Sequence, residues 1–279
     1  MLKYCLLLLI CISSFGGSIM ANSSDNLPVS TQWLMDATGD VGRAAINSVY
    51  MIICPSIESK GTGFKIVNGP IVTNAHVVKD CKPSEILAIS ANGDHIRFNR
   101  VIKDTKRDLA LLIPEIQLHG GLSLADEEPE VGNIVNTWGY PLMYNGPAPL
   151  LSVGYLSGFI AEKNGNDVVK HYVVNGAFNP GNSGGPLLLG NNDKVIGVVV
   201  AKHVPFTKFQ NSALEVLGKN KSGIQYNATN DKGEVIPFAE SQLVADLLNH
   251  FRYLTQVMIG EAISLNELRD FLEESGYKD

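Results

Sequence analysis

The chain has 279 residues, 45% of them apolar and 18% charged, with 27 glycines and 13 prolines. Those figures exclude a small scaffold that needs staples, a disordered chain and a collagen-like repeat. Acidic residues outnumber basic ones 28 to 22, a net charge of −6, so no nucleic-acid partner held through its phosphates is expected.

The first element in chain order is a targeting segment. Lys3 precedes nine apolar residues, Tyr4 to Ile12, followed by small and polar residues up to Ala21. This is the layout of a secretory signal peptide over residues 1–21, cleaved after Ala21 or Ser18, and it predicts a secreted or periplasmic protein. Nine apolar residues fall short of the roughly 20 that cross a hydrocarbon layer, so no stable membrane anchor is expected. Cys5 and Cys11 leave with the signal, and Cys54 and Cys81 remain. In an oxidising compartment these two are expected to pair; the alternative is two separate buried thiols. No Cys/His cluster has zinc spacing and no acidic loop resembles a calcium site, so neither a metal nor a cofactor is implied.

From about Ser48 the chain is a series of short β-rich runs broken by Gly, Asn and Pro, the pattern of an all-β barrel or sandwich. They read SVYMIICP, GTGFKIV, PIVTNA, EILAIS, HIRFNRVI, LALLI, NIVNTWG, LLSVGYLSGFIA, VVKHYVVNGA, GPLLLG and KVIGVVVA. The acidic stretch LADEEPEVG, residues 124–132, divides them into two β-units. After Ile236 the period changes: Leu243, Leu247, Leu248, Phe251, Leu254 and Met258 fall on one face of a helix, which predicts core packing. A second helix follows, with Ser264 and Glu267 as a capping box and Gly276 past its end.

Three segments carry residues suited to chemistry: TNAHVV around His76, RDLALL around Asp108 and NPGNSGGPL around Ser183. Singly, each has a structural reading as a polar residue after a strand, a strand start and a turn. Together they are complementary, because a serine hydroxyl needs a base near neutral pH and an imidazole base needs a group that fixes its tautomer. Gly181 and Gly184 permit backbone angles that would turn the amides of Gly181 and Ser183 toward one point, as an oxyanion hole requires. GNSGG also fits the nucleophile elbow of α/β-hydrolases, but here a loop precedes the serine, a β-run follows it, and the candidate His and Asp both come earlier in the chain.

At these motifs the chain resembles the trypsin-like, chymotrypsin-fold serine proteases, and within them the HtrA-type branch. The resemblance covers residues 46–228 through GTGFKI, PIVTNAHVV, DLALL, VGNIVNTWGYP, SVGYLSG, FNPGNSGGPLL and VIGVV, in that order. It implies an all-β fold of two six-stranded antiparallel barrels, residues 46–120 and 131–228, within a protease domain over 22–236, the last barrel strand being GIQYNAT. A C-terminal helical extension, 237–279, is expected to replace the PDZ module common in that branch.

By the same resemblance His76 is the general base, Asp108 its orienting carboxylate and Ser183 the nucleophile, with the amides of Gly181 and Ser183 as the oxyanion hole. Asn182 stands where digestive relatives have an Asp that receives a newly cut N-terminus, so activation by N-terminal insertion is not expected. The specificity pocket falls at Ala177 and Phe178, with Val199, Val200 and Ala201 along one wall, which favours small or medium aliphatic residues. Lys202 on the same strand is either a solvated lysine or a contact for an acidic side chain. The remaining histidines, His95, His119, His171, His203 and His250, have no matching role and are expected to be structural or exposed. The sum is an exported serine endopeptidase acting on polypeptides, its oligomeric state open; the rival reading is a chaperone or binding protein on a protease fold.

Overall fold

The computed structural model describes residues 27–164, 167–190, 192, 194–200, 208–229, 233–254 and 259–277. They form two units, a body of residues 25–202 with 257–279 and an inserted segment, 203–256. Among the described residues no helix is long and apolar enough to cross a membrane. The signal-like segment lies outside them.

The body begins with two helices absent from the sequence reading, α1 (Val29–Ala37) and α2 (Asp40–Ser48). The second buries Ala45 and Ile46, and Thr31 of the first donates to the Ala91 carbonyl at 2.9 Å. A first sheet follows, made of β1 (Val49–Cys54), β2 (Ser59–Lys65), β3 (Ile71–Asn74), β4 (Leu87–Ile89), β5 (His95–Ile96), β6 (Phe98–Asp104) and β7 (Leu109–Pro114). Its order is β5-β4-β1-β2-β3-β7-β6, antiparallel throughout. The expected six strands are thus seven in a nearly closed sheet, because the run HIRFNRVI is interrupted at Arg97. Cys54, at the end of β1, is bridged to Cys81 with Cα atoms 6.2 Å apart.

The second sheet closes into a six-stranded barrel. It takes β8 (Ile134–Gly139), β9 (Leu150–Asn164), β10 (Asp167–Asn175), β11 (Pro186–Leu189) and β12 (Val195–Val200). The inserted segment then contributes α3 (Lys208–Lys219), a hairpin of β13 (Gln225–Thr229) and β14 (Val235–Ala239), and α4 (Glu240–Leu254). The chain returns as β15 (Ile259–Ser264) and ends in α5 (Leu265–Glu274). β15 lies between β10 and β12 and completes the barrel. The expectation that GIQYNAT is the last barrel strand is therefore corrected. Ala262 and Ile263 of β15 are fully buried, whereas every residue of β13 is exposed and pairs only within its own hairpin.

α5 is capped at both ends, but only the Ser264 half of the expected capping box forms, since the Glu267 carboxylate accepts from Arg107 and the Lys170 amide instead. The Ser264 hydroxyl accepts from the Glu267 amide, and Gly276, at φ +87°, lets Gly276 and Tyr277 donate to the carbonyls of Glu273 and Leu272. The helix buries Leu265, Leu268, Phe271 and Leu272. α4 is a helix as read, but its apolar stripe is not core. Leu247, Leu248 and Phe251 are 45%, 43% and 60% exposed, while Ser241 and Ala245 form the buried face. The side chain of Leu254 and all of Met258 lie outside the described residues.

Candidate active site

The first sheet supplies His76 and Asp108. β3 ends at Asn74, and a single 3-10 turn, Ala75–Val78, carries His76 to the sheet's end. Asp108 directly precedes β7 with φ +58°, a left-handed conformation that Asp adopts more readily than bulkier residues. The Asp108 carbonyl accepts from the Ala75 amide and from the Asn74 side chain, both at 3.0 Å. Its two carboxylate oxygens go to a single residue: Oδ1 accepts from the His76 amide at 2.9 Å, and Oδ2 lies 2.6 Å from His76 Nδ1. An ionised carboxylate only accepts, so this contact puts the proton on Nδ1 and leaves Nε2 as the basic nitrogen of a half-exposed ring.

The second barrel supplies Ser183, on the turn entering β11. Here the deciding feature is the space that glycine leaves. Gly181 and Gly184 have φ +98° and +85°. A Cβ at Gly181 would lie 2.4 Å from the Tyr140 carbonyl, and one at Gly184 would lie 2.2 Å from the Thr62 carbonyl and 2.9 Å from the Asn74 amide. The turn is thus pressed against the strand ends that carry His76. Gly61 of β2 makes the same point: a Cβ there would meet both Val77 methyls at 2.7 Å and the Ser183 carbonyl at 3.2 Å.

Thr62, which the sequence reading passed over, holds the turn from the first sheet. Its amide donates to the Ser183 carbonyl at 2.8 Å, its hydroxyl donates to the Gly181 carbonyl at 2.7 Å, and that hydroxyl accepts from the Tyr140 amide at 3.0 Å. Lys60, with a pKa lowered by burial, donates to the carbonyls of Pro141 and Tyr144 and so fixes the loop behind Gly181. Within the turn the Asn182 amide donates to the Asn179 carbonyl, while the Gly181 amide donates to none of the described residues. Asn182 is buried against Gly139, and neither atom of its side-chain amide has a hydrogen-bond partner among the described residues.

The expected pocket residues divide. Phe178 is buried, its ring lying where a Cβ on Gly260 of β15 would come within 2.3 Å. Ala177 is half-buried. Val199 and Val200 belong to the barrel's hydrophobic cluster, and the Val199 backbone exchanges hydrogen bonds with Gly184 and Gly185. Ala201 and Lys202 lie outside the described residues, as does His203. Of the remaining histidines, His95, His119 and His250 are exposed, and His171 is buried with Nδ1 3.3 Å from Glu261 of β15.

Residues 61–198 match the family model described as trypsin-like peptidase domain. The chain is 31% identical over 156 residues to Protease Do-like 4, mitochondrial, of Arabidopsis thaliana, covering 53% of this chain and 29% of that protein. It is 36% identical over 147 residues to a probable periplasmic serine endoprotease, DegP-like, of Halomonas elongata, covering 50% and 29%. These matches span less than a third of either relative. Among solved structures, the active form of the Rv3671c protease from M. tuberculosis superposes with a TM-score of 0.57 at 19% identity, covering 95% of this chain and 96% of that one, a likeness of fold. By this match, with which its relatives and its two-barrel fold agree, residues 61–198 are a trypsin-like peptidase domain.

Proposed function

We propose that the protein is an exported serine endopeptidase that hydrolyses peptide bonds through an acyl-enzyme. His76 Nε2 takes the proton of the Ser183 hydroxyl as its oxygen attacks the scissile carbonyl. The amides of Gly181 and Ser183 stabilise the resulting oxyanion, and His76 returns the proton to the leaving amine. Water, activated by the same imidazole, then releases the acid product and restores the hydroxyl. Asp108 keeps the proton on Nδ1 and stabilises the imidazolium. The observation that carries this reading is the two-point hold of Asp108 on His76 beside a glycine-bounded Ser183 turn.

Small or medium aliphatic residues fit the pocket reading, because the Phe178 ring occupies space against Gly260 and Ala177 adds no charge. Asn182, neutral and buried, offers no anion to a new N-terminus, so no activation by N-terminal insertion is required. The Cys54–Cys81 bridge fits an oxidising compartment and supports export. The test compares wild type with Ser183→Ala on an unfolded protein substrate. Turnover is expected to fall about 10⁴-fold or more in the variant. Equal degradation by both would overturn the reading.

A further inference from the structure

We propose that Arg107 is a positioning residue for Asp108, and that α5 is the brace that holds it while tying together the two barrels that share the site. The proposal rests on the triad reading above. Arg107 directly precedes Asp108, and its guanidinium is held by three carboxylates. Nη1 lies 2.7 Å from Asp104, at the end of β6, and Nε lies 3.0 Å from Glu267 of α5. Nη1 and Nη2 grip both oxygens of Glu274, at the other end of α5, at 2.8 and 2.9 Å. The side chains of Arg107, Asp104 and Glu267 are only 18%, 12% and 18% exposed, whereas Glu274 is 59% exposed.

The two ends of this network explain its purpose. Asp104 also accepts from the amides of Lys106 and Arg107, at 2.8 and 3.1 Å, so the turn leading to Asp108 closes on the same carboxylate that holds the guanidinium. The second oxygen of Glu267 accepts from the Lys170 amide of β10 at 3.0 Å. A continuous path therefore runs from Asp108 in the first sheet through Arg107 and Glu267 to the second barrel, which carries Ser183. Lys106 and Asp167, 3.2 Å apart, make a parallel link at the surface. Asp108 itself has a φ of +58°, which persists in a residue other than glycine only when its surroundings hold it. Arginine suits the position because its planar fork engages several carboxylates in fixed directions, which a lysine ammonium does not.

The charges agree with a mutual hold. Hydrogen bonds from Arg107 keep Glu274 below the usual carboxylate range; burial opposes ionisation of Asp104, yet the hydrogen bonds from Arg107 and the turn amides hold it low as well. Carboxylates with lowered folded pKa values contribute fully above their ordinary value of about 4, and the contribution is lost as pH falls through the lowered values. The brace accordingly loosens in acid.

The test uses Arg107→Met, Arg107→Lys and Glu274→Gln, read by peptide cleavage, thermal unfolding and the NMR signal of the His76 Nδ1 proton. In Arg107→Met, kcat is expected to fall about tenfold or more with KM little changed, and the proton signal to shift or broaden. Arg107→Lys does not restore it, and Glu274→Gln shows a smaller effect of about threefold. A folded Arg107→Met protein with unchanged kcat and an unchanged signal overturns the proposal. Should that variant not fold, the same two results in Glu274→Gln, whose site is more exposed, overturn it. Inactivity of the wild type would refute the triad reading instead, and the proton signal would still decide whether Arg107 positions Asp108.

Discussion

The two halves of the candidate site differ in how close packing and hydrogen bonds hold them in place. Asp108 is positioned by what it bonds: its carbonyl takes two donors, its carboxylate takes two more from His76, and the residue before it is anchored in an ion network. The Ser183 turn is bonded too, by Thr62, but it also depends on close approach, since Gly61, Gly181 and Gly184 each leave space for backbone or methyl groups where any Cβ would overlap. A hydrogen-bonded half loses function by degrees as its bonds are removed. A half built on close backbone approach has less gradation, because the atoms met by an added methyl are mostly backbone atoms.

The largest structural effect is therefore expected at Gly184→Ala, where a positive φ and a Cβ only 2.2 Å from the Thr62 carbonyl act together. A cost of about 3 to 4 kcal/mol, read as a lower urea midpoint, follows from strain of that kind. A loss below about 1 kcal/mol would mean that the turn yields and that the contrast between the halves is overstated. Thr62→Val sharpens the comparison, since this residue of the first sheet serves the second barrel's turn. Removing its hydroxyl leaves the Gly181 carbonyl and the Tyr140 amide without their partner and is expected to cost about 1 to 3 kcal/mol. Its catalytic loss should exceed that of an equally destabilising substitution elsewhere in the core, measured by kcat/KM beside the urea midpoint. Equal catalytic losses would show that Thr62 serves stability alone.

The body's strands were readable because each is a short, apolar run bounded by turn residues, and His76, Asp108 and Ser183 stood out because their chemistries complete one another. The residues that arrange them were not readable. Thr62 acts on a carbonyl 119 positions away, and Arg107 on carboxylates 160 and 167 positions away, so nothing in their neighbourhoods marks them. β15 was missed because Gly260 and Glu261 interrupt its apolar pattern and its neighbours lie across an inserted segment. The same limit shows in α4, where period 3.6 located the helix but did not say what covers its apolar face. Leu248 and Phe251 are exposed, while Ala245 is buried near Gly218 of α3.

The most direct measurement of the central claim is labelling with a fluorophosphonate, followed by mass spectrometry of the modified peptide. The account predicts a single adduct on the Ser183 hydroxyl, forming about 10³-fold or more slowly in Asp108→Asn because that carboxamide favours the wrong tautomer of His76. An adduct on another residue, or a labelling rate indifferent to Asp108, would contradict it.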